Sequence, residues 1–247
     1  VTPPPYTATH DALLARCRDL PPVRTAVVHP VKANVLEAAA DARAENLIVP
    51  VLIGPRARIE AAAHEAGIDI GGWELIDAEH SHAAADKAVA LTASGQAAAI
   101  MKGSLHTDEL LGAIVRPESG LRTGRRISHA FLMSIPSYPR PFIITDAAIN
   151  IAPDLMVKAD ILQNATGLWD VLFSDGGALP NVALLAAVET VNPRMQATLD
   201  AAALCKMADR GQITGARVDG PLAFDNAIDL AAAREKGIVS EVAGRAD

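Results

Sequence analysis

An α/β fold built on mostly parallel sheets is what this sequence predicts, and three observations predict it. Strand-like and helix-like stretches alternate along most of the 247 residues. The strand-like stretches are short unbroken apolar runs, such as LIVPVLI at 47–53 and AAAIM at 97–101, the pattern of strands covered on both faces. Half of the composition is hydrophobic but only 3% is aromatic, so aliphatic side chains and alanine must form the core, as where helices pack on a sheet. Such alternation implies right-handed parallel crossovers. The rhythm breaks once. Ser128–Ile135 and Pro141–Asp146 are extended runs joined by PSYPR, which reads as an antiparallel hairpin and marks a domain boundary. The expected organisation is a linker and first helix at 1–23, one α/β domain at 24–136 and a second at 137–247, with a cleft between them.

The elements follow from local signals. VTPPPYTAT is a proline-rich lead-in. Leu13, Leu14 and Cys17 share a helical face, so a first helix spans His10–Leu20, with Cys17 as a small packing residue. Arg24–His29 is a strand ended by Pro30. Val35–Glu45 is helical, and Leu47–Ile53 is a strand stopped by Gly54-Pro55. Arg56–Ala66 is a helix closed by Gly67. Trp73–Asp77 is a short strand, His80–Ser94 a helix and Ala97–Met101 a strand. A helix then starts with Thr107 as N-cap and Asp108 and Glu109 in its first turn. Past the hairpin, Asp154–Phe173 is helical, Ser174–Asn181 a glycine-rich loop, Asn181–Ala187 a strand and Met195–Asp209 a helix. Ile213–Val218 is a strand terminated by Asp219-Gly220-Pro221, and Leu222–Lys236 a helix ended by Gly237.

Ligands of open parallel sheets bind beyond the carboxyl ends of the strands. That rule selects Pro30, Gly54, Lys102-Gly103-Ser104, Thr145-Asp146, Glu189-Thr190 with Asn192, and Asp219-Gly220-Pro221, of which the later ones are polar and glycine-rich. A lysine at a strand end, a helix N-terminus carrying Thr107 and the basic loop GLRTGRR suit an anionic ligand. In that loop Arg122 stands between Gly120 and Gly124. His106 is either an acid or base, or a local cap. Asp146 and Asp219 read rather as structural acceptors for neighbouring helix N-termini, and Cys205 as packing.

Several classes are excluded or unsupported. A formal net charge of −7 argues against a general nucleic-acid binder. Two distant cysteines without a CxxC pair give no zinc signal, and no metal site is expected. No apolar run approaches the ~18 residues of a membrane span, and no signal peptide is visible, so the expected location is cytoplasmic. The sequence contains no GxGxxG, Walker, GxSxG or HExxH pattern.

Longer stretches carry a resemblance. MKGSLHT (101–107), GLRTGR (120–125), ITDAAINIAPDL (144–155), AAVETVNPRMQATLDAAALCKMADRGQI (186–213), VDGPLAFDNAI (218–228) and SEVAGRAD (240–247) occur in order. With them the chain resembles the phosphate acetyltransferase/phosphate butyryltransferase family. It looks closest to the butyryl-type branch, and more similar still to the acyltransferase half of bifunctional enoyl-CoA hydratase/phosphate acetyltransferases. The resemblance implies a two-domain α/β/α fold like that of isocitrate and isopropylmalate dehydrogenases. It implies the reaction acyl-CoA + phosphate ⇌ acyl phosphate + CoA with a short acyl group, acetyl or butyryl. Coenzyme A is then a substrate, with no tightly bound cofactor and no metal. It further implies a homodimer and an upstream hydratase domain joined through VTPPPYTATHD. Lys102, Gly103, Ser104 and Thr107 would line one side of the site, Arg122 and Thr123 would hold phosphate or the CoA pyrophosphate, and Asp146, Glu189, Asn192 and Asp219 would face it from the second domain.

Two departures accompany the resemblance. The family's serine-arginine pair and catalytic aspartate correspond to positions beyond Asp247, so the catalytic residues are unassigned in this sequence. An arginine common in the family, nine residues after the glycine of the MKG turn, is replaced by Gly112. These departures keep in view a catalytically inactive acyl-CoA or acyl-phosphate binding module. A dehydrogenase of the same fold class is a further alternative, against which the absence of a nicotinamide signature and of a metal carboxylate cluster counts.

Overall fold

A computed structural model describes residues 6–135, 138, 140–173 and 178–247. The lead-in, the PSYPR turn and the 174–181 loop fall wholly or partly outside them. A first helix, α1 (Tyr6–Cys17), precedes the sheet. The chain forms two compact units, one of Ala12–Gly124 and one built on Arg125–Asp247.

In the first unit β1 (Val23–Val28), β2 (Ile48–Gly54), β3 (Glu74–Asp77) and β4 (Ala99–Lys102) form a parallel sheet in the order β3-β2-β1-β4. Helices α2 (Ala33–Ala44), α3 (Arg56–Ala66), α4 (Ser81–Ala93) and α5 (Thr107–Ile114) cover it. Successive side chains of β1 go to opposite layers. Val27 packs with Leu36 and Ala39 of α2 and Ile59 of α3. Ala26 and Val28 pack with Ala84, Ala85 and Ala88 of α4 and Leu110 of α5. Both faces are therefore dry, which is why β1 and β2 read as continuous apolar runs. Gly67 ends α3 in the left-handed region at φ 67°. The fourth strand starts two residues later than its sequence signal and takes in Lys102, because Val28 pairs with Lys102 across the sheet.

The second unit holds an antiparallel pair, β5 (Ala130–Met133) with β6 (Phe142–Thr145), and a parallel pair, β7 (Asn181–Leu185) with β8 (Arg217–Leu222). Its helices are α6 (Leu155–Phe173), α7 (Gln196–Asp209), α8 (Phe224–Ile228) and α9 (Leu230–Glu235). Val182 and Leu184 of β7 face a layer containing Leu162 and Leu204, while Ala183 faces Leu222, Ala227 and Val242. The hairpin is present, and it lies wholly within this unit.

Two element expectations are corrected. Asp219-Gly220-Pro221 does not stop the strand: β8 runs through it to Leu222, with an irregular register against Ala183 and Leu185. Gly220 is what permits this, since a Cβ there would lie 2.6 Å from the Leu184 carbonyl oxygen. The expected helix over 222–236 is broken at Asp229, whose backbone is extended and whose Oδ1 accepts the N–H groups of Ala231 and Ala232 to cap α9. No helix among the described residues is long and apolar enough to cross a membrane.

Candidate functional site

The carboxyl ends of β1 and β4 build the first group of candidate residues. The chain leaves β1 for β2 on one side and pairs with β4 on the other, the topology at which ligand crevices open. Three hydrogen bonds lock the two exits together. Gly103 N–H donates to Val28 O at 2.9 Å, Ser104 N–H to His29 O at 3.0 Å, and the His29 Nδ1–H to Ser104 O at 2.9 Å. The carbonyl partner makes Nδ1 the donor and fixes the orientation of the ring. His29 is buried and held at φ 54°. A Cβ on Gly103 would lie 2.3 Å from the Val28 carbonyl oxygen, so only glycine allows the approach. The Ser104 hydroxyl is buried and has no partner among the described residues.

The cations of the first unit differ in availability, and the Arg122 loop starts away from this crevice: Gly120 lies against Ala93 at the carboxyl end of α4, where a Cβ built on it would be 3.3 Å from the Ala93 Cβ. Lys102 is exposed and unpaired among the described residues, as is Arg122 on the loop after Gly120. Gly120 sits at φ 73°, a conformation that favours glycine. Thr123 is also exposed. Arg116, by contrast, is engaged by Asp86 at 2.8 Å. The N-cap of α5 is His106 rather than Thr107, and its side chain makes no capping bond. Thr107 instead becomes the first helical residue, leaving its exposed hydroxyl available to a ligand. Gly112 lies on α5 with nothing within 4 Å of a Cβ built on it.

The second group lies in the second unit, and most of its polar atoms serve the local fold. Asp146 accepts from His129 N at 2.9 Å and Asn150 N at 2.8 Å, and from the Asn150 side chain. Burial pushes its pKa up, but the Asn150 side chain and the N–H groups of Asn150, His129 and Ile149 outweigh it and hold the carboxyl below its usual range. The Asn192 side chain accepts from Arg194 N at 3.0 Å, closing the turn before α7. Asp219 accepts from Gly220 N at 2.8 Å. Glu189 accepts from Asn226 Nδ2 at 2.5 Å and has Lys236 at 3.6 Å. Asn226 is fully buried and its Oδ1 has no partner among the described residues.

Cys205 is packed beneath this row, with its thiol 3.6 Å from Gly220 O. Burial, then the charge of Asp219, raises its pKa to about 11. At pH 8 it should therefore react with iodoacetamide far more slowly than an ordinary thiol of pKa ~8.5. Mass spectrometry of the native protein checks this, and rapid labelling of Cys205 would contradict it.

Sequence reasoning missed His29 and Asn226. His29 directly follows a buried strand and precedes Pro30, so the strand-end rule that selected Lys102 reaches it too. Asn226 stands inside the VDGPLAFDNAI stretch, but nothing in its neighbours announces a fully buried amide.

Comparison with known proteins decides the lineage. The model of the family described as phosphate acetyl/butaryl transferase matches residues 81–247. The chain belongs to the phosphate acetyl/butyryl transferase family. A phosphate acetyltransferase of Rickettsia prowazekii is 57% identical over 235 residues, covering 95% of this chain and 66% of the relative. A phosphate butyryltransferase of Clostridium beijerinckii is 38% identical, covering 96% of this chain and 78% of that protein. Among solved structures, a branched-chain phosphotransacylase from Enterococcus faecalis superposes with a TM-score of 0.75 at 28% identity, over 91% of this chain and 77% of the other. The chain thus spans about two thirds of the Rickettsia protein's length. Membership of this transferase family, together with such a structural neighbour, displaces the dehydrogenase alternative.

Proposed function

We propose that this chain carries the substrate-binding framework of a phosphate acyltransferase that interconverts acetyl-CoA and phosphate with acetyl phosphate and CoA. The family match across 81–247 carries this reading. The higher identity to the acetyl-named relative, 57% against 38% for the butyryl-named one, favours acetyl. The geometry fits: unpaired Lys102 and Arg122 supply positive charge in the first unit, and the α5 N-terminus and Thr107 hydroxyl supply donors.

In the reaction a CoA thiolate attacks the carbonyl carbon of acetyl phosphate. A C–S bond forms, the C–O bond to phosphate breaks, and phosphate leaves with the electron pair. The thiol proton must go to a base, since a thiol of pKa ~8.5 is largely protonated at neutral pH. Lys102, Gly103, Ser104 and Thr107 line the ligand side in this reading, and Arg122 with Thr123 holds phosphate or the CoA pyrophosphate. Glu189, steadied by Asn226, and the strand-end residues Asp146, Asn192 and Asp219 organise the second unit's contribution. Neither a metal nor a tightly bound cofactor takes part. We further place the enzyme in the cytoplasm as a homodimer, with an upstream enoyl-CoA hydratase domain. Fully exposed Ile151 and largely exposed Met156 and Val171 support self-association.

Arsenate-dependent loss of acetyl-CoA and butyryl-CoA tests the activity, because arsenate replaces phosphate and makes the exchange irreversible. Acetyl-CoA should be consumed faster. Arg122→Ala should raise the KM for phosphate or CoA about tenfold or more, since a charge-assisted contact contributes about 1.5–3 kcal/mol. Unchanged affinities for both would remove Arg122 from the site. CoA binding without turnover by the full-length protein would favour the inactive binding module.

A further inference from the structure

His29 follows the last residue of β1, where three strand ends meet. Its N–H donates to Ile53 O of β2 at 2.6 Å, and its carbonyl accepts Ser104 N–H at 3.0 Å and Val31 N–H at 2.9 Å. Its φ of 54° lies in the left-handed region, uncommon for a residue with a side chain. Such strain persists only where the surroundings enforce it, and it gathers at ligand clamps. The ring is clamped as well. Nδ1 donates to Ser104 O at 2.9 Å, and Cδ2 lies over Gly54, 3.6 Å from where a Cβ would stand. The exit of β4 thus holds one side of the ring and the end of β2 the other, which leaves the outer edge, Cε1 and Nε2.

His29 is only 6% exposed, yet Nε2 has no hydrogen-bond partner among the described residues. Buried polar atoms ordinarily have one. Tying β1 to β4 needs Nδ1 alone. Asparagine would supply that donor and also tolerates a positive φ. The fold therefore uses one nitrogen of a clamped ring and leaves the other over.

The surroundings of that edge are positive. Lys32, three residues on, is the N-cap of α2, and Lys102 pairs with Val28, the neighbour of His29. Both are exposed, with no ion pair among the described residues. The side chains of Lys32 and His106, the N-caps of α2 and α5, make no capping bond, so first-turn N–H groups of both helices remain for an anion. A carboxylate or a sulfate brings no proton of its own near neutrality. A phosphate group is close to its second ionisation, at pH ~6, and can supply one. One proton then lies between Nε2 and a phosphate oxygen, whichever of them carried it before contact.

We infer that His29 is a binding residue of this crevice, its Nε2 sharing one proton with an oxygen of a phosphate group. The inference rests on the proposed acyltransferase reading, which makes inorganic phosphate and the phosphates of CoA the ligands to try.

Calorimetric titration of the 247-residue chain and of His29→Asn tests it. The ligands are inorganic phosphate, CoA, and dephospho-CoA, which lacks the ribose phosphate. The asparagine amide keeps a donor for Ser104 O and removes Nε2, so the Tm should change little. Affinity for at least one ligand should fall about tenfold or more, as for the loss of a hydrogen bond to a charged group. A fall for inorganic phosphate identifies the free ion as the partner. A fall for CoA that dephospho-CoA escapes identifies the ribose phosphate, and a fall for both CoA forms the pyrophosphate. Nitrogen NMR of the imidazole rings adds a signature in the unsubstituted chain: the histidine whose signals vanish in the variant should shift at Nε2 when the ligand is added. Should His29→Asn not fold, His29→Gly, which suits a φ of 54°, takes its place. Equal affinities of chain and variant for all three ligands would overturn the inference, as would an unsubstituted chain that binds none of them. Binding that depends on His29, without turnover by the full-length protein, would leave the inference standing and remove the acyltransferase reading.

Discussion

Replacing Gly103 with alanine should destabilise the first unit by about 2–3 kcal/mol, because overpacking against backbone cannot be relieved by a rotamer change. The added Cβ would meet the Val28 carbonyl at 2.3 Å and the His29 carbonyl at 2.9 Å. Those carbonyls accept the Gly103 and Ser104 N–H groups, so any retreat lengthens the bonds that join β1 to β4. Differential scanning calorimetry should show a fall in Tm of roughly 10 °C or more for that unit, and ligand affinity should fall with it. Gly112→Ala is the matched control. It places a methyl group in open space on an exposed face of α5, and the gain in helix propensity should raise stability by about 0.5–1 kcal/mol. Equal effects of the two substitutions would refute the close-approach explanation.

The second large effect is expected at Lys158. Its Nζ lies 2.5 Å from Asp200 Oδ2, and Asp200 is buried with Gln196 as its other side-chain partner at 2.8 Å. Lys158→Met leaves that carboxylate short of a cation and should cost about 2–3 kcal/mol, below the range for fully buried pairs because Lys158 is partly exposed. The double variant Lys158→Met/Asp200→Leu should recover most of the loss, since neither charge then needs a partner. Urea denaturation of the two variants separates the outcomes; a double variant as unstable as the single would show that packing, not charge, is at stake.

The same pair predicts a pH dependence. Burial pushes the Asp200 carboxyl up, but the Lys158 and Gln196 bonds outweigh it and hold the pKa below the usual value. A carboxylate whose folded pKa is depressed contributes stability that is complete above its unfolded pKa of ~3.9 and is lost as pH falls through the lower folded value. Asp146 acts in the same direction. Acid unfolding should therefore steepen below about pH 4, and Lys158→Met should flatten that limb.

Much of this was legible in the residues. Uninterrupted aliphatic runs mark β1, β2 and β7 because these strands are covered on both faces, and the strand-end rule leads directly to Lys102, Gly103 and Ser104. What stayed hidden depends on neighbours distant in sequence. Asp219-Gly220-Pro221 carries every local sign of a stop, yet β8 passes through it because Gly220 fits against Leu184. The break at Asp229 lay inside an alanine-rich stretch that reads as continuous helix. Asp146 and Asn192 are polar strand-end residues by sequence, but their side chains accept backbone N–H groups that only the folded turns present.

The pairing of β1 with β4 has a kinetic consequence. Residues 23–28 meet β2 at 48–53, but must wait for 99–102 before their other edge is covered. Closing that longer loop carries the greater entropic cost, and distant pairings of this kind slow folding. During synthesis the early strands therefore stand with an uncovered apolar edge until β4 emerges. The crevice holding Gly103 and Ser104 is then among the last parts of its unit to form, so Lys102 and the start of α5 reach their final positions only once β4 is in place.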